Sequence, residues 1–356
     1  MPDKINEQLN IADTTGKNKA GDRENSSLKL EVSSASSELP ETTNQLNDLY
    51  TNIASDKGID VETLNKIREQ ILKMQKIEAE SPLPSQIAEQ IKTAEEIMGE
   101  ENVLGIDAIE ATFDFKPLPR EIPNIPFSRV ELIRAKELHQ FLVLRVNKDK
   151  DGKPLTMEKM NELKGGKTKD ESKILYSADD KGKLKDDTWY KAEDFFSKEA
   201  PTLGWALVSK EVIPNSTSQN YLDQTETLVD YLKNQVFKGQ KLDKAYQEAI
   251  AEFNKEKDSI KKLMDSDWKT AAEKLEKLKI NNLCRQTPAD ALYDILLMKE
   301  KNDEYILSDK YTWTNRRDSG GKLVSVGDAA SDGVGVNSDL PDNSHANLGV
   351  AFSRTK

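Results

Sequence analysis

The sequence predicts an α+β fold, with helical N-terminal and middle regions and a β-rich C-terminal module. Three observations lead to this prediction. Apolar residues recur at helical spacing over about residues 61–100 and again over about 219–300. Short runs rich in Val, such as FLVLRV and GWALVS, are typical of buried strands. Several more short strand-like runs follow one another after residue 305, and they define the predicted module.

The composition limits the classes of function. The chain has 356 residues, which suggests two domains with linkers. Its net charge of −11 argues against a general binder of nucleic acid or of anionic membranes, because both need a positive surface. No apolar run is long enough to span a bilayer. The N-terminus has no hydrophobic signal segment, so we expect a cytoplasmic protein, with export by another signal left open.

The N-terminal part divides into a tail and a helical region. Residues 1–42 are polar and predict a disordered tail, because they cannot bury enough surface to offset the entropy of ordering. Residues 43–115 predict helices. Ile67 and Ile71 lie on one helical face, and Ser85 is a plausible N-cap for a second helix.

A proline-rich segment separates the two parts of the chain. Residues 116–127 include KPLPREIPNIP, in which four prolines fall between Pro117 and Pro126. Proline fixes φ and removes a backbone donor, so we predict an extended linker and a domain boundary here. Residues 128–356 then form the predicted α+β domain, with the β-rich module at about 305–356.

Within this domain, helices and strands alternate. SRVELIRAKELHQ predicts a helix before the strand FLVLRV, and Ile174–Tyr176 predicts a short strand. Ser216 or Thr217 is expected to cap the next helix. Three further helices are predicted at 241–264, 266–280 and 287–300, and Thr287 followed by Pro288 fits the start of the last. Strands are predicted near 311–314, 322–327, 333–336 and 347–353. The single cysteine, Cys284, lies among apolar residues and is expected to be buried.

The segment NKDKDGKPLTME, residues 147–158, matches the pattern of an EF-hand calcium loop with Asn at the first position. The oxygen ligands would come from Asn147, Asp149, Asp151, the carbonyl of Lys153 and Glu158. However, a strand-like run precedes the segment where an EF-hand needs a helix, and no second loop exists. Asp and Gly also form ordinary turns, so we predict a turn here and leave calcium binding open.

No catalytic pattern is found. The two histidines, His139 and His345, are about 200 positions apart and have no partners at metal-ligand spacing. No nucleophile motif and no phosphate-binding loop occur. Acid–base chemistry by paired carboxylates stays open, because 63 acidic residues allow many pairs. We therefore predict a protein that is not an enzyme, with no cofactor and no metal.

The segment 328–347 is the most informative one. It contains four Asp, three Asn and no Lys or Arg, and its only large apolar residues are Val334, Val336 and Leu340. Apolar runs, KLVSVG before it and LGVAF after it, can fix it to a core. Polar loops on a rigid base are typical of recognition surfaces. The alternatives are a solvated hairpin end without a ligand and calcium binding by the aspartates.

Two resemblances bear on this reading. The blocks GWALVSKEVIPNSTSQNYLDQTETLVDYL, RQTPADALYDILL, YTWTNRRDSGGKLVSVG and NSHANLGVAFSR resemble those of an uncharacterised bacterial protein family from uncultured lineages, over about residues 120–356. The ending W-T-x-x-R, DGV and LGVAFSR is similar to that of C-type-lectin-like domains of the formylglycine-generating-enzyme type. Some of those domains are the variable proteins of diversity-generating retroelements, whose exposed loops carry varied polar residues.

The second resemblance implies a lectin-like module and a binding role. The cysteines of the oxidase members have no counterpart near Trp313–Arg354, so it does not imply oxidase chemistry. The predicted core of the module is Trp313, Leu323, Val324, Val326, Leu348, Val350 and Phe352. The residues predicted to face a protein or glycan ligand are Asn315, Arg316, Asp318, Asp328, Ser331, Asp332, Asn337, Asp342, Asn343, His345 and Asn347. The alternative is a structural or regulatory interaction protein that acts through its helical region.

Overall fold

The computed structural model describes residues 83–356, together with positions 65, 66, 69, 70 and 73, which are helical and exposed. The predicted tail at 1–42 and most of the helical region before residue 83 lie outside the described residues. The described part confirms the α+β class, because helices surround two four-stranded sheets that each mix parallel and antiparallel pairs.

The helices and strands follow the apolar periodicity of the sequence. In chain order the helices are α1 (Ser85–Met98), α2 (Ile106–Phe113), α3 (Arg129–Glu137), α4 (Met157–Leu163), α5 (Asp194–Ser197), α6 (Tyr221–Tyr231), α7 (Lys244–Ser266), α8 (Trp268–Lys277), α9 (Lys279–Cys284) and α10 (Pro288–Asn302). The strands are β1 (Val103–Leu104), β2 (Gln140–Arg145), β3 (Gly204–Ser209), β4 (Tyr311–Arg317), β5 (Leu323–Ala330), β6 (Gly333–Asp339), β7 (Leu348–Gly349) and β8 (Ser353–Thr355).

Helix α10 begins as predicted. The Thr287 hydroxyl accepts a hydrogen bond from the Asp290 amide at 3.0 Å, and Pro288 occupies the first turn, where its missing N–H has no cost. At α1 the prediction is wrong by one residue. Pro84 holds the cap position and Ser85 is the first helical residue, with no side-chain cap.

The cap of α6 is also a correction. Asn220, rather than Ser216 or Thr217, accepts the capping hydrogen bond, from the Asp223 amide at 2.9 Å. Ser216 is fully buried and has other partners: its hydroxyl donates to the Ile213 carbonyl and accepts from the Val350 amide. The Ser216 hydroxyl is therefore used to join two loops.

The first sheet has the order β1-β2-β3-β8. Strand β1 is parallel to β2, whereas β2 and β3 are antiparallel, with Leu142 opposite Leu207. The last strand, β8, pairs with β3 and places Arg354 opposite Leu207. The strands after residue 305 are thus divided between the two sheets. Strand β8 forms one edge of the first sheet, next to β3.

The second sheet has the order β6-β5-β4-β7. Strands β4, β5 and β6 form two successive hairpins, and β7 lies parallel to β4 on the other edge, with Leu348 opposite Tyr311. Helix α10 packs against strands of both sheets, and nearly all of its residues are buried. It is therefore the central element between the sheets.

The predicted core is confirmed. Every residue assigned to it is buried: Trp313, Leu323, Val324, Val326, Leu348, Val350 and Phe352. Cys284 is buried as expected. Apolar side chains form two clusters, one around the first sheet and α10 and the other beneath α6–α9.

The proline-rich segment 116–127 is extended except for one short turn at Pro119–Glu121. Ile122, Ile125 and Phe127 are buried, and the Trp205 indole donates to the Pro123 carbonyl at 2.9 Å. Helices α1 and α2 before this segment share one apolar cluster with strands β2 and β3 after it. The segment therefore connects elements of the same core.

Candidate functional site

The two faces of the second sheet have different surroundings. Because alternate residues of a strand point to opposite faces, Val324, Val326 and Val336 share the face that packs on the α10 cluster. Trp313 lies on the opposite face, where it joins the cluster beneath α6–α9. Asn337 is aligned with Trp313 through Ser325, so it projects on this outer face.

A tyrosine lies across the outer face. Gly335 has no side chain, and a Cβ there would come within 2.2 Å of the Tyr311 hydroxyl oxygen. That hydroxyl is 3.4 Å from a carboxylate oxygen of Asp328. Partial burial, together with the negative charge of Asp328, raises the pKa of Tyr311 to about 12. Tyr311 therefore stays protonated, and its ring, Asp328 and Asn337 form one polar patch.

A loop crosses the sheet beside this patch. Residues 340–347, here called the crossing loop, connect β6 at one edge to β7 at the other. Its backbone is fixed at three points, because the carbonyls of Pro341, His345 and Asn347 accept hydrogen bonds from the amides of Tyr221, Ser218 and Tyr311. The Tyr221 ring packs against Trp313, which places the loop on the outer face.

Most polar side chains of the crossing loop make few or no hydrogen bonds with the described part of the protein. Asp342, His345 and Asn347 are exposed, and Asn343 is half-buried. Within residues 83–356, no hydrogen bond or ion pair involves the side chain of Asp342 or of Asn347. The Asn343 amide donates to Asp339 at 3.0 Å, and His345 lies 3.9 Å from the same carboxylate. We define the polar face as Tyr311, Asp328, Ser331, Asp332, Asn337, Asp339 and the crossing loop.

Three of the residues predicted to face a ligand have structural partners. Asn315 is buried, and its amide donates to Asn282 at 3.2 Å, which contradicts the expectation that it faces a ligand. Arg316 is ion-paired with Glu199 at 2.6 Å. The Asp318 carboxylate accepts the Lys322 amide within a tight turn. The eight others lie on the polar face, seven of them exposed.

Two residues of this region were missed by sequence reasoning. Tyr311 was assigned to a strand only, and Tyr176, 61% exposed, was placed in a short strand of unknown pairing. The Tyr176 amide donates to the Val334 carbonyl at 3.1 Å, so residues 174–176 lie along the edge of β6. The sequence does carry a signal for these two contacts, namely the two glycines in GVGV, at 333 and 335. Glycine in a strand marks close approach by another segment.

One turn recurs three times among the described residues. The pattern Asp-x-x-Gly-Lys occurs there at residues 149–153, 179–183 and 318–322, and the sequence also has it at 13–17, outside the described residues. In each of the three described turns the Asp amide donates to the Lys carbonyl at 2.8 Å, and the Asp carboxylate accepts the Lys amide. These aspartates therefore act as turn formers, which sequence inspection for a fixed period did not detect.

The same geometry accounts for the segment that resembles a calcium loop. One Asp149 oxygen accepts the amides of Asp151 and Lys153 at 2.9 Å, and the other lies 3.5 Å from the Lys159 amine. Backbone amides thus occupy one oxygen of the carboxylate that would bind the ion, and a lysine lies near the other. In the described part of the chain, no group of three or more His, Cys, Asp or Glu side chains is arranged to hold a metal.

Three buried charged residues, Arg145, Asp290 and Asp294, form a structural group. Arg145 is fully buried and bonds Asp294 through two nitrogens, while Asp290 lies 3.5 Å away. Gln286 donates to the same Asp294 carboxylate at 2.7 Å. This group joins β2 to α10 and is closed to solvent, so it cannot meet a substrate.

Comparisons of the chain with models of known protein families, with curated proteins and with solved structures gave no match. Among the helices that the structure describes, none is long and apolar enough to cross a membrane.

Proposed function

We propose that this chain is a non-enzymatic recognition protein that binds its ligand on the polar face. One observation carries the proposal. The crossing loop has its backbone fixed by Tyr221, Ser218 and Tyr311, while Asp342, His345 and Asn347 project to solvent. A flexible loop loses conformational entropy when it binds a ligand. The backbone of the crossing loop is already ordered in the folded protein, so less entropy is lost on binding.

The chemistry of the face indicates the type of ligand. Carboxylates, amides, a hydroxyl and an imidazole offer hydrogen bonds, and residues 328–347 contain no Lys or Arg. Such a face suits a ligand rich in donors, either a protein surface with basic residues or a glycan. The resemblance to lectin-like variable domains supports the same role, with the crossing loop as the diversified segment.

A groove with ionisable side chains lies elsewhere on the surface. It has a volume of about 590 Å³ and lies between the end of β3 and residues 304–310. Two ion pairs lie at the groove, Lys210 with Glu304 and Lys310 with Asp309, both at 2.8 Å, and His139 and Glu211 line it as well.

The test replaces side chains without touching the fold. A triple variant, Asp342→Ala with His345→Ala and Asn347→Ala, is compared with the natural chain on arrays of purified glycans and of recombinant bacterial proteins. The matched control replaces exposed acids of α1, which packs against α3 and β1, in Glu89→Ala with Glu96→Ala. Ligands retained by the control and lost by the triple variant, at unchanged melting temperature, support the proposal. Ligands that bind all three proteins equally contradict it.

The alternative, an interaction protein acting through its helical region, has one observation in its favour. Val130 and Ile133, one helical turn apart on α3, are 59% and 42% exposed. Under this alternative, ligand binding is lost in Val130→Asp with Ile133→Asp and is kept in the triple variant. Deleting residues 311–356 cannot separate the two proposals, because it would also remove β8 from the first sheet.

A further inference from the structure

Strand β6 forms an edge of the second sheet, and part of that edge is paired. The amide of Val334 donates to the Ile174 carbonyl at 2.9 Å, and its own carbonyl accepts the Tyr176 amide at 3.1 Å. Both polar groups of Val334 therefore point away from β5. The edge of β6 can pair with an extended segment through backbone hydrogen bonds, because residues 174–176 already do so.

The next outward positions are open. In a strand, the N–H and C=O of one residue point to the same side, and those of the next point to the opposite side. Val336 and Ser338 therefore present their amides and carbonyls in the same direction as Val334. Residues 174–176 do not reach them, because the chain turns away where the Ala178 amide donates to the Leu175 carbonyl. No other segment within 83–356 forms backbone hydrogen bonds with Val336 or Ser338 on that side.

The residues of this edge differ in burial. Val334 and Val336 are both buried, and their side chains pack in the core. Ser338 is half-buried and Asn337 is exposed. Free edges of this kind are templates for another strand, and proteins usually cover them or bind a partner through them.

We propose that the ligand of this protein is an extended basic segment of a partner protein, which adds as a strand along Val336–Ser338. This inference rests on the proposed function and narrows it to a peptide ligand. A glycan has no backbone amides to match the open edge. Charge complementarity argues for a basic segment, because Asp332 precedes β6, Asp339 is its last residue, and residues 328–347 contain no Lys or Arg. The nearby Lys173 is already paired with Asp180 at 3.2 Å.

The side chains around the edge suit such a segment. Tyr176 is 61% exposed beside Val334, at the point where the added strand would begin. Its ring can pack on the aliphatic part of a Lys or Arg and attract the charge. The strand would thus contribute backbone hydrogen bonds at the edge and cationic contacts at both ends.

The test uses proline at the open edge. Ser338→Pro removes the outward N–H and fixes φ, a substitution that edge strands tolerate, and Ser338→Ala keeps the backbone donor as the matched control. A phage library of random 12-residue peptides is selected on the natural full-length chain at low salt. Selected peptides are then synthesised with and without N-methyl groups on alternate amides, and their binding is measured by fluorescence anisotropy.

The proposal expects peptides rich in Lys or Arg whose affinity falls at least tenfold for Ser338→Pro or after N-methylation, and stays within twofold for Ser338→Ala. It is overturned if no peptide is selected, or if the selected peptides bind Ser338→Pro as well as the natural chain. Peptides or glycans that lose binding only in the crossing-loop variant would remove strand addition and leave recognition by the polar face in place. Melting temperatures of both variants verify that they are folded.

Discussion

Arg354 in the last strand lies 3.0 Å from Glu131 in the first turn of α3, and both side chains are buried. The Arg354 guanidinium also lies between the rings of Phe127 and Phe237, at 5.1 and 5.3 Å from their centres. Lys356 reaches the same carboxylate at 2.8 Å. The C-terminal strand is therefore attached to α3 by charge as well as by its pairing with β3.

This relationship predicts a pH dependence of stability. Burial opposes ionisation of Glu131, but hydrogen bonds from Lys356 and Ser128 and the charge of Arg354 outweigh it and lower the pKa to about 2 from an ordinary 4.5. A lowered carboxyl pKa stabilises the folded state fully above the unfolded pKa, and that contribution is lost as the pH falls from about 4.5 towards 2. Glu131→Gln should lower stability by about 2 kcal/mol at pH 7 and by progressively less below pH 4.5.

Urea denaturation at pH 7, 4 and 3 measures this difference. Glu137→Gln is the control, because Glu137 lies on the same helix in an exposed ion pair with Arg134. It should change stability by less than about 0.5 kcal/mol. A constant difference between Glu131→Gln and the natural chain from pH 7 to 3 would exclude the charge as its cause.

The buried pair of Arg145 and Asp294 predicts a larger effect. Asp294→Ala leaves the Arg145 charge with Asp290, 3.5 Å away, but without its two hydrogen bonds to Asp294, which costs about 3 kcal/mol. Arg145→Met combined with Asp294→Leu removes both charges, leaves Asp290 bonded to the Thr202 and Thr287 amides, and should be more stable than Asp294→Ala. The free energies of unfolding of these variants check this order. Equal stability of the single and double variants would show that the buried Arg145 charge is not the main cost.

The sequence patterns predicted the helices and strands of this fold better than they predicted how those elements are arranged. Period-2 and helical spacing located β2, β3 and α10, and the apolar residues of 311–356 were assigned correctly to the core. The pairing of β8 with β3 was not visible, because it joins residues about 150 positions apart and depends on tertiary contacts. Asn315 is polar and precedes two arginines, so the sequence does not mark it as buried, and its contact with Asn282 is tertiary.

Two adjacent glycines provide a matched test of close packing. Gly165 and Gly166 both have positive φ, +61° and +76°. A Cβ at Gly166 would lie 1.9 Å from the Gly182 carbonyl oxygen, whereas a Cβ at Gly165 meets nothing within 4 Å. Gly165→Ala should therefore cost only about 1–2 kcal/mol for the left-handed backbone. Gly166→Ala should cost clearly more, because backbone must move.

Thermal denaturation of the two alanine variants under one set of conditions makes this comparison. Similar losses of melting temperature would mean that the hairpin turn containing Gly182 moves aside easily, and that the close approach does not constrain this region.

The turn at Asp149 predicts indifference to calcium. Its carboxylate already accepts two backbone amides, so millimolar calcium should leave the melting temperature unchanged and give no heat in calorimetry. Asp149→Ala should lower stability by about 1–2 kcal/mol with or without calcium, because those amides lose their acceptor. A rise in melting temperature with calcium that disappears in Asp149→Ala would restore the calcium-loop interpretation.

The last prediction compares two asparagines from the second sheet. Asn337 in β6 is exposed on the polar face, whereas Asn315 in β4 is buried and bonded to Asn282. Asn337→Ala should change the free energy of unfolding by less than about 0.5 kcal/mol, as is usual at the surface. Asn315→Ala should cost about 0.5–1.5 kcal/mol, since the hydrogen bonds of its side chain with Asn282 and Arg316 are lost. Urea denaturation measures both. A large loss for Asn337→Ala would show that the polar face contributes to folding, and its side chains would then not be free for a ligand.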